Sequence, residues 1–157
     1  MTKKIKPTSL LPSTPREHIR QLIEWMSQGV YEKEQIIAVA LLCAVAGENM
    51  FLLGPPGTAK SMVASRLKMV FKNGKSFDYL MSRFSTPDEI FGPISISHLK
   101  NDDRYERLTI GYLPDADVVF LDEIWKAGPS IQNTLLTVIN EHIFHNGGQI
   151  MHTPMKV

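Results

Sequence analysis

The sequence is poor in several features that mark particular classes of protein. Cys43 is the single cysteine among 157 residues, so a disulfide framework is excluded and a reducing compartment is expected. Lys and Arg number 17 against 16 Asp and Glu, a formal net charge of +1. Such a balance lacks the basic excess with which proteins bind nucleic acid phosphates, so no nucleic acid partner is expected.

Long apolar runs are also lacking. No run reaches the roughly 18 residues that a membrane-spanning helix needs. The basic start of the chain has no apolar segment of the kind found in secretory signals. We therefore expect a cytoplasmic protein without a membrane span. With 43% hydrophobic residues, the chain is long enough for one domain with a sizeable core.

The first half of the chain reads as a tail followed by helices. Residues 1–13, rich in Lys, Pro, Ser and Thr, predict a flexible tail, and residues 14–157 predict one domain. A capping pattern at Thr14 predicts a first helix. A second helix, over about 32–46, is apolar nearly all round, which predicts burial on every side. "MFLL", residues 50–53, predicts a short buried strand.

The second half alternates strands and helices. "SFDYLM" predicts a strand and "DVVFLDEI" predicts a buried strand, and helices are expected to begin at residues 86–89 and after Pro129. Residues 94–109 alternate in polarity and predict an inserted hairpin, as does "IFHNGGQIMH" with Asn146-Gly147 at its turn. The pattern predicts an α/β fold, a parallel sheet flanked by helices with inserted β-hairpins.

The stretch "GPPGTAKS" has the spacing of a phosphate-binding loop between a strand and a helix. Its backbone N–H groups would curl around phosphate oxygens, with the Lys60 ammonium beside the outer phosphates and the Ser61 hydroxyl on Mg²⁺. The predicted nucleotide-binding residues here are Gly54, Pro55, Pro56, Gly57, Thr58, Ala59, Lys60, Ser61 and Met62.

Ala59 occupies a position where the general pattern has glycine. Its methyl group is tolerable if the backbone there is near helical and costly if a positive φ is required. Taken alone, the loop could also be a glycine-rich turn without a ligand.

Two acids follow the last predicted strand, and the carboxyl ends of parallel strands are where ligands sit. Asp122 would hold the water shell of Mg²⁺, and Glu123 would polarise a water for attack on the γ-phosphate. By itself the pair could be an ordinary solvated turn. Because the loop motif occurs in the same chain, a ligand site is favoured. The extra acid favours hydrolysis over transfer to a substrate hydroxyl, so Glu123 and Lys60 are the predicted catalytic residues.

"GPPGTAKS", "RFSTPDEIFGP", "GYLP", "VVFLDEIWKAGP" and "LLTVINE" together resemble the MoxR family of AAA+ ATPases, and most closely its RavA branch. In that family the residue before the lysine is typically alanine. The resemblance implies a ring-forming, hexameric Mg-ATPase that remodels partner proteins, often beside a protein with a von Willebrand factor A domain. By analogy, Val30 and Tyr31 would border the adenine, and residues 94–109 and 143–151 would contact neighbours or the ring pore.

The chain departs from the family pattern after the motif that contains Asp122 and Glu123. No motif matches the strand with a polar sensor residue, the arginine supplied to a neighbouring subunit, or the helical lid. An AAA+ core incomplete at the C-terminus is therefore expected, with a strand lacking between the loop strand and the Asp122 strand. The alternative function is a truncated, non-catalytic nucleotide-binding or assembly module, and a phosphotransferase is weaker.

The sequence leaves the roles of two further residues open. Arg83 would hold Glu123 inactive until ATP arrives, or form an ordinary surface ion pair. Trp125 would contact a partner or pack beside the site.

Overall fold

The computed structural model describes residues 14–55 and 57–157, and the predicted tail, 1–13, lies outside the described residues. The helices are α1 (Pro15–Ser27), α2 (Glu34–Ala46), α3 (Lys60–Val70), α4 (Pro87–Phe91), α5 (Ile96–Asn101) and α6 (Pro129–Glu141). The strands are β1 (Ser76–Leu80), β2 (Val118–Asp122), β3 (Ile143–Asn146) and β4 (Gln149–His152). The protein is thus a mixed α/β chain.

Strands β1 and β2 form a small parallel sheet, as the two apolar segments predicted. Their register runs from Ser76 opposite Val118 to Leu80 opposite Asp122. The Met81 N–H continues the ladder by donating to the carbonyl oxygen of Asp122 (2.9 Å). The sheet therefore fixes the chain up to the acidic pair at the end of β2.

Two helices begin at capping boxes, one at Thr14 as predicted and one at the predicted helix start, residues 86–89. Thr14 accepts from the Glu17 N–H (3.3 Å), and the Glu17 carboxylate accepts from the Thr14 N–H (3.2 Å). At α4 the Glu89 carboxylate accepts from the Thr86 N–H (2.8 Å) and from the Tyr79 hydroxyl (2.9 Å). These donors, the Thr86 N–H foremost, hold the pKa of Glu89 below its usual value. The second box thereby ties α4 to β1.

The buried residues fall into two clusters. The sheet-side cluster consists of Phe77, Met81, Ile90, Phe91, Leu113, Ala116, Ala127, Ile131, Leu135, Val138, Phe144 and Met155. The loop-side cluster consists of Met26, Ile37, Ala40, Leu41, Ala44, Val63 and Leu67, from α1, α2 and α3. The glycine-rich loop belongs to the loop-side half of the molecule, and the acidic pair belongs to the sheet-side half.

Residues 50–53 are not a strand, so that prediction is wrong. Phe51 and Leu53 are 69% and 84% exposed. A groove of about 810 Å³ lies between this segment and β2. Among the described residues no strand pairs with residues 50–53, so no ladder of hydrogen bonds fixes them.

Helix α2 is buried on one face only, contrary to the prediction of burial all round. Ile37, Leu41 and Ala44 face the loop-side cluster, whereas Val39, Leu42 and Val45 form an exposed row. The apolar composition was read correctly, but no described element covers the second face. Gly47 ends the helix in the left-handed conformation, as expected.

The insert at residues 94–109 is a short helix rather than a β-hairpin. The Ser95 hydroxyl accepts from the His98 N–H (3.3 Å) and starts α5. One isolated antiparallel bridge, Ile94 with Arg107, closes the base of the insert. The polarity pattern was therefore misread because local capping decided the conformation.

The second predicted hairpin is confirmed as β3 and β4, in antiparallel register from Ile143 opposite His152 to Asn146 opposite Gln149. Its turn residues are Gly147 (φ 58°) and Gly148 (φ 86°), one position later than predicted. Asn146 instead ends β3, and its side chain accepts from the Arg107 N–H (2.6 Å) and donates to the Arg107 carbonyl (3.0 Å). This amide joins the hairpin to the insert.

Candidate functional site

The glycine-rich loop closes around its own lysine. The Lys60 ammonium donates to the carbonyl oxygens of Gly54 and Pro55 (2.9 Å each) and lies 3.4 Å from the Thr58 hydroxyl oxygen. The Thr58 hydroxyl donates to the Pro55 carbonyl (2.9 Å). A methyl group added at Gly54 would lie 3.3 Å from that hydroxyl, so glycine fits the tight curl best. Pro56 lies outside the described residues.

The start of α3 suits an anion. Its hydrogen-bond ladder begins with the Val63 N–H donating to the Ala59 carbonyl (3.0 Å), so the N–H groups of Lys60, Ser61 and Met62 precede the ladder. The first turn contains no acidic residue, and the helix dipole places partial positive charge there. These features fit a phosphate group.

Ala59 and Glu123, one in each motif, both adopt the left-handed conformation. Ala59 has φ 61° and ψ 18°, and Glu123 has φ 53° and ψ 40°. A non-glycine residue there costs about 1 to 2 kcal/mol. The sequence left open whether the backbone at Ala59 is near helical or has a positive φ, and the structure has the positive φ, which is the costly case. Such strain concentrates at functional sites.

The acidic pair lies where β2 gives way to a 3₁₀ turn, Ile124–Lys126. The Asp122 carboxylate accepts from the Glu123 N–H (2.9 Å). The Glu123 carboxylate forms an ion pair with Lys126. No hydrogen bond or ion pair joins Arg83 to Glu123 in the part of the chain that the structure describes. The sequence reasoning missed Lys126, although it follows Glu123 by three positions within "DEIWK".

One groove brings the two motifs together. The 810 Å³ groove is lined by loop and α3 residues 57–62 and by residues 121–125 at the end of β2. Ser61 and Asp122 both line it, so a residue with a hydroxyl and a residue with a carboxylate border the same space. Trp125 is exposed and also lines it. The arrangement permits one ligand to contact the helix start and the acidic pair together.

The groove fits Mg²⁺ carried by a phosphate ligand better than a metal held by protein alone. Within residues 14–55 and 57–157, no group of three or more His, Cys, Asp or Glu could hold a metal ion. Mg²⁺ is commonly held by one or two protein oxygens together with substrate phosphates and water. The Ser61 hydroxyl and the Asp122 carboxylate could provide those one or two protein oxygens.

A smaller cavity of about 150 Å³ lies beside the loop. Lys33 and Ile36, at the start of α2, line it together with Leu52 and loop residues. Val30 and Tyr31, the predicted neighbours of adenine, line neither described cavity, and Tyr31 is 85% exposed. The predicted role of Val30 and Tyr31 stays a prediction, and the residues from the start of α2 that do lie beside the loop are Lys33 and Ile36.

The fold and the groove define a mixed α/β protein with a small parallel sheet and a glycine-rich turn before a helix. No helix in the described ranges is both long and apolar enough to cross a membrane.

A family model of the MoxR domain in the MoxR-vWA-beta-propeller ternary systems matches residues 17–157, and the chain belongs to the MoxR family. This confirms the family that the motifs resembled, an AAA+ family whose members generally bind nucleotides.

Relatives among known proteins are longer than this chain. Two uncharacterized proteins of Methanocaldococcus jannaschii are each 42% identical over 137 residues, covering 87% of this chain and 36% of theirs. A structural protein of Acidianus two-tailed virus is 31% identical over 137 residues, covering 85% of this chain and 22% of its own. The chain thus spans about a third or less of these relatives.

Proposed function

We propose that this chain binds Mg-ATP in the groove and that the full-length protein hydrolyses it. The observation that carries the proposal is the groove itself, which residues 57–62 and 121–125 line together. The start of a helix, a lysine and two acidic residues then line one ligand-sized space. Membership of the MoxR family supports the choice of nucleotide as that ligand.

Each polar residue has a distinct part in the proposed reaction. Lys60 exchanges the carbonyl oxygens of Gly54 and Pro55 for the outer phosphates, and the first N–H groups of α3 hold phosphate oxygens. Ser61 and Asp122 would hold Mg²⁺, which would neutralise phosphate charge. Glu123 accepts the proton of the attacking water.

The wider activity proposed here follows the family. We propose a hexameric ring close to the RavA branch, acting in the cytoplasm as a chaperone-like remodeller of a protein partner. The matched family is described by ternary systems that include a vWA component, which supports a vWA-domain partner. Residues 94–109 and 143–151 would contact neighbours, since Asn146 and Arg107 join them in one surface unit.

The test separates binding from turnover in the full-length protein. Glu123→Gln is expected to bind Mg-ATP normally and to lose turnover by roughly 100-fold or more, because a general base contributes about that much. Lys60→Ala is expected to lose affinity as well. Glu141→Gln and Lys72→Ala, both at exposed residues, are the matched controls.

Three outcomes are distinct. Normal hydrolysis by Glu123→Gln would remove the role assigned to Glu123. Lys60-dependent binding with no turnover in the unaltered protein would identify a non-catalytic nucleotide-binding module. Binding unaffected by Lys60→Ala would overturn the proposed site.

A further inference from the structure

The small cavity beside the glycine-rich loop shares a wall with the groove. The cavity of about 150 Å³ and the groove of about 810 Å³ are both bordered by Leu52, Leu53, Gly54, Thr58 and Lys60. The cavity therefore adjoins the loop that fits a phosphate group. A ligand whose phosphates lie against the loop can place its other end in the cavity.

The rest of the cavity wall is largely apolar. Ile36 of α2 and Val63 of α3 border the cavity in addition to the two leucines. Apolar walls with a few polar groups are typical of sites that receive the planar rings of small ligands. Because an apolar cavity of about this volume holds one aromatic ring, it has room for one edge of a bicyclic purine.

Lys33 is the second lysine that borders the cavity, and it is half-buried just before the start of α2. Within residues 14–55 and 57–157 its ammonium has no hydrogen bond or ion pair. Lys60, by contrast, donates to the carbonyl oxygens of Gly54 and Pro55. An ammonium donates hydrogen bonds and accepts none. A ligand group that meets Lys33 therefore has to be an acceptor.

Purine bases differ in what they offer to such a donor. One edge of a purine carries N7 and the group at position 6. In guanine and hypoxanthine that group is an oxygen, so the edge presents two acceptors, whereas in adenine it is an amino group that donates. Lysine commonly pairs with the two-acceptor edge of guanine. Lys33 therefore favours a purine with an oxygen at position 6.

We propose that the cavity receives the purine base of the bound nucleotide and that Lys33 is a specificity-determining residue. Through Lys33 the site accepts guanine and hypoxanthine nucleotides at least as readily as adenine nucleotides. The inference rests on the proposed function, since Lys60 and the start of α3 hold the phosphates of either kind of nucleotide. The residue that selects the base then lies outside both sequence motifs.

The experiment compares Lys33→Met, Lys33→Arg and the control Lys72→Met in the full-length protein. Dissociation constants are measured with Mg²⁺ for ADP, GDP and IDP, and for inorganic pyrophosphate, which has no base. In the unaltered protein GDP and IDP should bind at least as tightly as ADP. Lys33→Met is expected to weaken GDP and IDP binding roughly tenfold, because a hydrogen bond from a charged donor is lost.

The other probes and variants isolate the contact with the base. Lys33→Met should change the affinities for ADP and pyrophosphate less than about twofold, since neither depends on a donor at position 6. Lys33→Arg should keep the affinities for GDP and IDP, because a guanidinium is also a donor without acceptors. Lys72→Met, at an exposed residue, should behave as the unaltered protein. Thermal unfolding without ligand checks that each variant is folded.

Failures of the inference and of the proposed function are distinguishable. Equal effects of Lys33→Met on ADP and GDP, or none on either, would overturn the inference and leave the proposed function intact. An equal loss for pyrophosphate would place Lys33 on the phosphates, and a loss for GDP without one for IDP would place it elsewhere on the base, and each overturns the inference. Nucleotide binding that Lys60→Ala leaves unchanged would overturn the proposed function and this inference with it.

Discussion

The two halves of the molecule differ in how well their apolar residues are enclosed. Around the sheet-side cluster, the rings of Phe91 and Phe144 stack with centroids 5.4 Å apart, and the β3–β4 hairpin packs against the cluster through Phe144 and Met151. Around the loop-side cluster, the row on α2 and the side chains of Phe51 and Leu53 remain exposed. The glycine-rich loop therefore lies on the more open half, while the acidic pair is anchored on the enclosed one.

The halves meet at few polar contacts beside the groove. Asn49 donates to the Ile139 carbonyl at the end of α6 (3.0 Å), and Lys68 of α3 forms an ion pair with Asp78 of β1. The Val119 N–H donates to the Val157 carbonyl (3.0 Å), and Val157 also packs against the loop-side cluster. A ligand in the groove would contact both halves, so binding is expected to couple them.

Truncating one leucine in each cluster should give the largest change in unfolding free energy and test directly whether the two clusters differ in how well they are enclosed. Leu135→Ala removes a fully enclosed side chain and is expected to cost about 2 to 5 kcal/mol of unfolding free energy. Leu67→Ala should cost less, because an open cluster relaxes into the space more easily. Urea unfolding of both variants is the measurement, and an equal or larger loss for Leu67→Ala would contradict the contrast.

Breaking the link between hairpin and insert should have an intermediate effect. Asn146→Ala removes a buried amide and leaves the half-buried Arg107 N–H and carbonyl without their side-chain partners, which is expected to cost about 1 to 3 kcal/mol. Asn133→Ala, at an exposed position of α6, is the control. Equal stability of the two variants in urea would show that the Asn146 amide does not stabilise the junction of hairpin and insert.

Relieving backbone strain in the loop should have the smallest effect and the opposite sign. Ala59→Gly removes a methyl group from a left-handed position, φ 61°, and is expected to stabilise by about 0.5 to 1 kcal/mol. Ala38→Gly, inside α2, is the matched control and should destabilise by about 1 kcal/mol. Destabilisation of both variants in thermal unfolding would mean that Ala59 is not strained.

The success of the sequence predictions also differs between the enclosed sheet-side half and the open loop-side half. Strands β1 and β2, the boxes at Thr14 and Thr86, and the β3–β4 hairpin were predictable because each depends on local patterns or on a partner within the described chain. Residues 50–53 and the outer face of α2 were misread because burial needs a covering element, which composition alone cannot reveal.

The candidate site divides in a similar way. The loop and the acidic pair were found from residue spacing, and the structure places both on one groove. Lys126 was missed because its contact with Glu123 arises from a three-residue turn rather than from a known motif. Lys33 and Ile36 were missed because only tertiary packing brings the start of α2 to the loop.

Thermal unfolding of the 157-residue chain, with and without Mg-ATP and beside Lys60→Ala, tests the central claim most directly. A ligand at about 100 times its dissociation constant stabilises the folded state by roughly 2.7 kcal/mol. We predict one cooperative transition that Mg-ATP raises in the unaltered chain and leaves unmoved in Lys60→Ala. A transition that Mg-ATP does not move, or moves equally in both, would contradict a nucleotide site in the groove.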